Sequence, residues 1–387
     1  MNDVVRPFRI AVPEQDLVDL RTRLRNGRWP EEQPVLGWAQ GVPLRYLREL
    51  CDFWADGYEW RTTERRLNAI SQMVTTIDGL DVHALHVRSP HAQALPLVLT
   101  HGWPGSFLEF EAVVDPLIDP VAYGGQADEA VHLVVPSLPG YGFSGKPSTP
   151  GWGVHQIARA WVELMSRLGY DRFIAAGSDW GTSVSTCIAL DHPERLLGLH
   201  LVPPLVGPPD GDLSNLTAAE EQAVADLDER TSTGSAYSAI HATRPQTLGY
   251  GLVDSPIGLC AWLVEKIWTW ADHDGDLNAV IARQRLLDNV TLYWLTRTGA
   301  SSIRLYWQSI AEVSRWFTAP AHDVIDVPTA CSVFTKEVPR PSRRWAERRF
   351  TNIVHWGEPP RGGHFAAWEQ PQSFVIESRA AVRACRK

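Results

Sequence analysis

The chain has 387 residues, 44% hydrophobic and 21% charged, with a formal net charge of −9. That balance suits a globular protein with one large core and an inserted or appended smaller unit, and it speaks against nucleic acid, whose phosphates need a basic face. Five scattered cysteines, none in a C-x-x-C pair, read as reduced buried thiols; with no signal-peptide core at the start and no membrane-length apolar run, the expectation is a soluble, unanchored, cytoplasmic chain.

The first seventy residues read as helical. Leu17, Leu20 and Leu24 share a face before the Asn26-Gly27 stop, and Leu47, Leu50, Cys51 and Trp54 form a second stripe. At Ile77-Asp78-Gly79-Leu80 a hairpin signal separates two segments containing β-branched residues and marks entry into a sheet. From Pro96 onward, apolar runs alternate with glycine-rich loops and amphipathic helices, the pattern of βα units. Residues 97–100 lead into His101-Gly102-Trp103-Pro104-Gly105, and residues 131–136 lead into Ser137-Leu138-Pro139-Gly140-Tyr141-Gly142. Residues 157–168 form a helix with Trp161, Leu164 and Leu168 on one face. Residues 173–176 and 197–202 are further strands.

After Pro203-Pro204 the alternation stops. Residues 205–320 are helical in pattern and crowded with aromatics, among them Trp262, Trp268, Trp270, Trp294 and Trp307, as in a lid inserted into a sheet domain. Strand signals return at 330–335 and 353–356, and residues 374–382 close the chain as a helix. The expected divisions are an N-terminal segment 1–72, a first core part 73–204, a helical cap 205–320 and a second core part 321–387.

Gly177-Ser178-Asp179-Trp180-Gly181 puts an aspartate where a nucleophile elbow of the G-x-S-x-G type carries serine. A carboxylate is already charged at pH 7 and attacks sp3 carbon, leaving an alkyl ester. Ser178 sits one place off the apex, which argues against a serine esterase. Clearing an ester needs a base and a group to orient it. His364, in Gly362-Gly363-His364-Phe365, lies where the last member of a nucleophile, acid, histidine order belongs, and Glu337 follows the strand signal at 330–335. Asp323 and Asp326 precede that strand and fall at its far end. Since Pro104 has no N–H, Trp103 is the natural oxyanion donor of its loop, joined by the N–H of Trp180; each such donor is worth around 3 kcal/mol.

The His101, Asp179 and Arg361-Gly362-Gly363-His364-Phe365-Ala366-Ala367 motifs together resemble the microsomal-type epoxide hydrolases of the α/β-hydrolase superfamily. The likeness runs through nearly the whole chain. It includes the segment from Pro7-Phe8 to Arg28-Trp29-Pro30, similar to the family's N-terminal wrapping region, and residues 251–259, similar to a cap signature. The resemblance implies an α/β-hydrolase fold with a helical cap and an N-terminal wrapping segment. It also implies two cap tyrosines that protonate the epoxide oxygen: Tyr306 for the second and Tyr237 for the first, with Tyr250 as competitor. Asp179, His364 and Glu337 would form the triad, and Lys336 beside the glutamate departs from the expected setting.

Water and side chains suffice for this chemistry, so no metal and no organic cofactor is expected. The partner is a small-molecule epoxide, bulky and apolar or aromatic to match the lid, with no nucleic acid and no membrane; a homodimer stays open. Animal members of the family carry a membrane anchor that this chain's start does not show. The tryptophan- and arginine-rich character is similar to actinomycete relatives, some of which act in enediyne antibiotic pathways. Two rivals stand beside this reading. A haloalkane dehalogenase shares the aspartate elbow without needing paired phenols, and a silent α/β-hydrolase would serve only as a binding module.

Overall fold

Asp78 and Gly79 both take positive φ, 50° and 79°, as a two-residue hairpin twisted to match its strands requires. The computed structural model describes residues 4–208, 211–318 and 323–386. Its strands are β1 (Arg6–Pro7), β2 (Gln72–Ile77), β3 (Leu80–Val87), β4 (Leu95–Thr100), β5 (Val131–Pro136), β6 (Phe173–Ser178), β7 (Leu196–Val202), β8 (Thr329–Ser332) and β9 (Ile353–Gly357). They form one sheet in the order β1-β2-β3-β5-β4-β6-β7-β8-β9. β1 to β3 and the β3–β5 pair are antiparallel, and the strands from β5 across to β9 are parallel. The two-residue β1 lies in a segment whose sequence pattern read only as helical.

Every residue of β6 is buried, which is why its sequence shows a continuous apolar run instead of alternation. The loops after β4, β6, β8 and β9 leave from the same edge of the parallel sheet, where ligands of such sheets bind. β8 ends at Ser332, three residues before the strand signal stops. The last ladder bond runs from Val333 N to Gly357 O, 2.9 Å, and β9 then gives way to Glu358-Pro359-Pro360, leaving nothing for Thr335 to pair with as a strand. Glu337 therefore stands on a turn, its N–H bonded to Phe334 O at 3.1 Å.

Helices Val154–Arg167 and Trp180–Asp191 pack together on the sheet, while Pro371–Ala384 packs with residues 107–118 and with β8 and β9. Between β7 and β8 come the longer helices Ala218–Gly234, Ala236–Thr243, Pro245–Asp254, Pro256–Trp270, Arg283–Leu295 and Arg304–Thr318. Among the described residues no single helix is long and apolar enough to cross a membrane; Pro245–Asp254 and Pro256–Trp270 reach that test only together, across a 116° bend.

The N-terminal helices Glu14–Arg25 and Leu44–Asp56 lie against this helical layer, contacting Pro256–Trp270. Asp288 is the anchor. Its buried carboxylate accepts hydrogen bonds from Tyr58 (2.8 Å), Thr63 (2.6 Å) and Arg66 (2.6 Å), and Trp54 donates to Thr291 one turn on. An unpaired carboxylate there would cost several kcal/mol, so these donors hold the N-terminal segment and the helical layer in one arrangement.

Candidate active site

Asp179 occupies the apex between β6 and helix Trp180–Asp191 with φ 51° and ψ −121°, a strained conformation for a residue with a side chain. The glycines beside it explain how the turn closes. A Cβ on Gly177 would lie 2.3 Å from the carbonyl carbon of Gly181, and one on Gly181 would lie 1.9 Å from Thr100 O.

The two carboxylate oxygens of Asp179 have different surroundings. Oδ1 accepts the Trp103 N–H at 2.8 Å, and the Trp180 amide favours the charged carboxylate. Oδ2 faces His364 Nε2 at 3.6 Å. One oxygen is thus held by the Trp103 amide expected of an oxyanion hole, and the other is left toward the histidine. Burial raises the Asp179 carboxyl above its ordinary pKa, against the opposing pull of His364 and the two amides.

On its far side His364 Nδ1 lies 3.0 and 3.1 Å from the two oxygens of Glu337. Burial alone would lower the imidazole pKa, but the charge and hydrogen bond of Glu337, together with Asp179, outweigh it and raise the value to about 9. Glu337 resists the upward push of its own burial because His364, Arg230 and the Val338 N–H (2.8 Å) hold it below the usual carboxylate range. His101 instead braces its loop: its Nδ1 is 2.9 Å from Gly102 O, and its Nε2 accepts from Leu138 N at 3.2 Å.

Above this row lie the two tyrosines. Tyr237 stacks on the Trp103 ring at 5.3 Å and 9°, and Tyr306 stands edge-on to Trp180 at 4.9 Å. The two rings meet edge to face with centroids 5.8 Å apart, and burial raises both pKa values. Tyr250, the competitor for the first position, points away with 70% of its surface exposed. Asp323 and Asp326 pair instead near Arg349 and Thr351, away from His364.

A cleft of about 560 Å³ opens over Asp179, His364, Tyr237 and Tyr306. Leu205, Leu227, Ile310, Val313 and Phe317 supply its apolar lining, and Thr231, Ser235 and Ser238 add hydroxyl groups.

A family profile described as epoxide hydrolase N terminus matches residues 5–110, and one described as alpha/beta hydrolase fold matches residues 96–249. A Stigmatella aurantiaca protein named provisionally as an epoxide hydrolase is 46% identical over 382 residues, covering 99% of this chain and 86% of its own. Epoxide hydrolase 1 of Oryctolagus cuniculus is 32% identical, covering 96% of this chain and 87% of its own. The structure of Aspergillus niger epoxide hydrolase superposes with a TM-score of 0.87 at 30% identity, over 99% of this chain and 97% of that one. The chain belongs to the epoxide hydrolase family.

Three residues of this epoxide hydrolase site escaped the sequence reading. Glu369 accepts the backbone N–H groups of Gly363 (2.9 Å), Phe365 (2.8 Å) and Asp272 (2.5 Å). Asp272 takes the Gly362 N–H at 2.8 Å, and His364 N bonds Trp270 O at 3.0 Å. The loop carrying the histidine is therefore fastened to the end of the lid helix Pro256–Trp270. The third is Arg230, beside Glu337 and Tyr237. None of the three stands at a spacing that marks it in the sequence.

Gly102 gives this epoxide hydrolase a sharp local test. A Cβ there would sit 2.1 Å from Asp179 Oδ1, an oxygen that the Trp103 amide prevents from moving freely. Gly102→Ala should lower kcat by about 100-fold, since displacing a reacting group by about 1 Å costs that much. Steady-state rates with circular dichroism check it; a folded variant with wild-type kcat would contradict the placement.

Proposed function

We propose that this epoxide hydrolase converts an epoxide and water to a vicinal diol through an ester on Asp179. The arrangement that carries the reading is the Asp179 carboxylate itself, with Oδ1 on the Trp103 amide, Oδ2 toward His364, and two adjacent phenols lining the same cleft. Oδ2 attacks an epoxide carbon from the side opposite the breaking C–O bond. The electron pair of that bond goes to the epoxide oxygen, which takes a proton from the Tyr237 and Tyr306 pair. The negative charge of Asp179 is thereby spent in the ester.

That loss alters His364. In the free enzyme two carboxylates favour its protonated form; once Asp179 is esterified, one of them is neutral and the imidazole gives up its proton more readily. Passed through the cleft, that proton restores the phenol. Neutral His364, oriented by Glu337, then removes a proton from water, which attacks the carboxyl carbon of Asp179. The amides of Trp103 and Trp180 stabilise the oxyanion, here on Oδ1. Collapse breaks the bond between that carbon and Oδ2, and the leaving oxygen takes the proton of the new carboxylic acid, so the diol leaves with an enzyme oxygen, the water oxygen stays on the Asp179 carboxylate and His364 is again protonated.

Single turnover in oxygen-18 water tests the sequence of bonds. The label is expected in the carboxylate of Asp179, read by peptide mass spectrometry, and unlabelled oxygen in the first diol. Label confined to the diol would mean direct attack by water and would end the ester reading. The size and apolar wall of the cleft support a bulky apolar or aromatic epoxide, of the kind secondary metabolism makes.

The dehalogenase reading draws on one observation: the indole N–H groups of Trp103 and Trp180 are buried without a partner. Halide release from a chloroalkane, unaffected by Tyr306→Phe, would favour it. The pair of phenols lining the cleft with Asp179 weighs for the epoxide.

A further inference from the structure

Helix Arg304–Thr318 carries Tyr306, and its Ile310, Val313 and Phe317 line the cleft. Another side of the same helix runs along the start of the core helix Val154–Arg167. Gln308 Oε1 accepts from Gly151 N at 3.3 Å, and Ser309 Oγ accepts from Val154 N, the first helical amide, at 3.0 Å. Gly153 is the N-cap and has no side chain to make that bond; a Cβ there would lie 2.8 Å from the serine oxygen. One turn further along the lid helix stands Glu312, where the contact is of another kind. His155 Nε2 lies 2.7 Å from Glu312 Oε1, and its Nδ1 lies 2.5 Å from Asp191 Oδ2.

A neutral imidazole has one N–H, and an ionised carboxylate only accepts. Both contacts are therefore hydrogen bonds only when His155 is protonated. Neither charge suits its own helix. His155 is the second residue of Val154–Arg167, where the positive helix end disfavours a cation, and Asp191 is the last residue of Trp180–Asp191, where the negative end disfavours an anion. Pairing across the helices accounts for both. Burial opposes the charge on the imidazole, but the hydrogen bonds and charges of Asp191 and Glu312 outweigh it and raise His155 above its ordinary pKa.

We propose that His155, as an imidazolium held between Asp191 and Glu312, is a positioning residue that fixes the helix carrying Tyr306 against the helix that begins at the nucleophile. This rests on the epoxide-opening reading given above, since the role acts through the reach of the Tyr306 phenol to an epoxide on Asp179. Helix Trp180–Asp191 starts directly after Asp179 and ends at Asp191; Glu312 stands six residues after Tyr306 on the lid helix. When His155 loses its proton, one carboxylate must let go. Gln308 and Ser309 still hold the lid helix, so it shifts and does not leave.

Among the described residues the ion pairs of the imidazole are these two. Arg349 is close enough to feel Glu312 and lies 3.9 Å from Asp323. Cys187, one turn before Asp191, stays a thiol because burial pushes it up. His192, next to Asp191, lies 3.8 Å from Glu194. On the helix of His155 itself, Arg159 donates to Gln156.

Because the folded pKa is raised, the bridge is complete below about pH 6.5, the ordinary histidine value, and is lost as pH rises through the higher folded value. In enzyme labelled with nitrogen-15 histidine, both ring nitrogens of His155 should be protonated at pH 7, the signal being assigned by its absence in His155→Gln. Glu312→Gln should bring that titration down toward about 6.5. Single-turnover ester formation should fall by about fivefold as pH rises through the wild-type titration, less than the roughly 100-fold cost of a 1 Å displacement because the neutral contacts remain. His155→Arg, a cation that donates to both carboxylates at every pH, should abolish that fall. His155→Gln should show the lower rate throughout, and Glu312→Gln should flatten the profile from the other side should the arginine variant not fold.

A single protonated ring nitrogen at pH 7 would overturn the proposal, as would one and the same ester-formation profile in wild type, His155→Arg and Glu312→Gln. A wild-type enzyme that fails to label Asp179 would instead sink the parent reading and leave the His155 titration untouched, so the two failures are distinguishable.

Discussion

His364→Gln should yield a protein that consumes one equivalent of epoxide and then stops. Glutamine keeps much of the volume beside Glu337 but cannot take a proton from water, so the ester on Asp179 has no route to hydrolysis. Turnover should fall by about 10⁴-fold or more, the scale on which removing a triad member acts. Ring opening asks less of the histidine, because Oδ1 remains on the Trp103 amide and the phenols are untouched. Intact-protein mass spectrometry should show a gain equal to one substrate mass, located on Asp179 by peptide mapping. An unmodified variant beside an active wild type would contradict the division of labour between Asp179 and His364.

The complementary loss is expected when both phenols go. In Tyr237→Phe/Tyr306→Phe the epoxide oxygen has no phenolic donor left and must leave as an alkoxide in a poorly solvated cleft. Ester formation should slow by about 10⁴-fold, the upper range for general acid catalysis. Because each phenol sits on its neighbours largely through ring contacts with Trp103 and Trp180, phenylalanine should preserve the packing, and thermal stability should change little. Rapid-quench single-turnover rates with styrene oxide provide the measurement. Ester formation at the wild-type rate in the double variant would remove the tyrosines from the mechanism and return attention to the unpartnered indoles.

The parts of the site that were readable from sequence are those where chemistry demands an unusual residue at an unusual place. An aspartate between Gly177 and Gly181 is conspicuous because the backbone there tolerates almost nothing else on either side. His364 is marked by Gly362 and Gly363, the first with φ 116° and the second with Trp270 O only 2.4 Å from where a Cβ would be. The choice between Tyr237 and Tyr250 was not of that kind. Both lie in helical stretches, and periodicity does not say which faces the cleft; only exposure in the folded chain separates them. Likewise β8 could not be ended correctly from its own residues, since its length is set by where β9 turns away.

Arg230, Glu369 and the Asp288 cluster were hidden for a different reason. Each is an ordinary charged residue on or beside a helix, and its meaning comes from partners far along the chain: Glu337 for Arg230, Asp272 for Glu369, and Tyr58, Thr63 and Arg66 for Asp288. Such pairings carry no local spacing, so one sequence read alone treats them as solvated surface.

The hydrogen bonds between the His364 loop and residues 270–272 divide the lid into two kinds of territory. Helices Ala218–Gly234 and Ala236–Thr243 form one bank of the cleft and can be reshaped to admit other substrates while His364 keeps its seat. The far end of Pro256–Trp270 shares a backbone bond with His364, so on the proposed mechanism a change there should register first as slower ester hydrolysis, whatever it does to substrate entry. Engineering for substrate range therefore belongs on the first bank, and tuning of the hydrolytic step on the second.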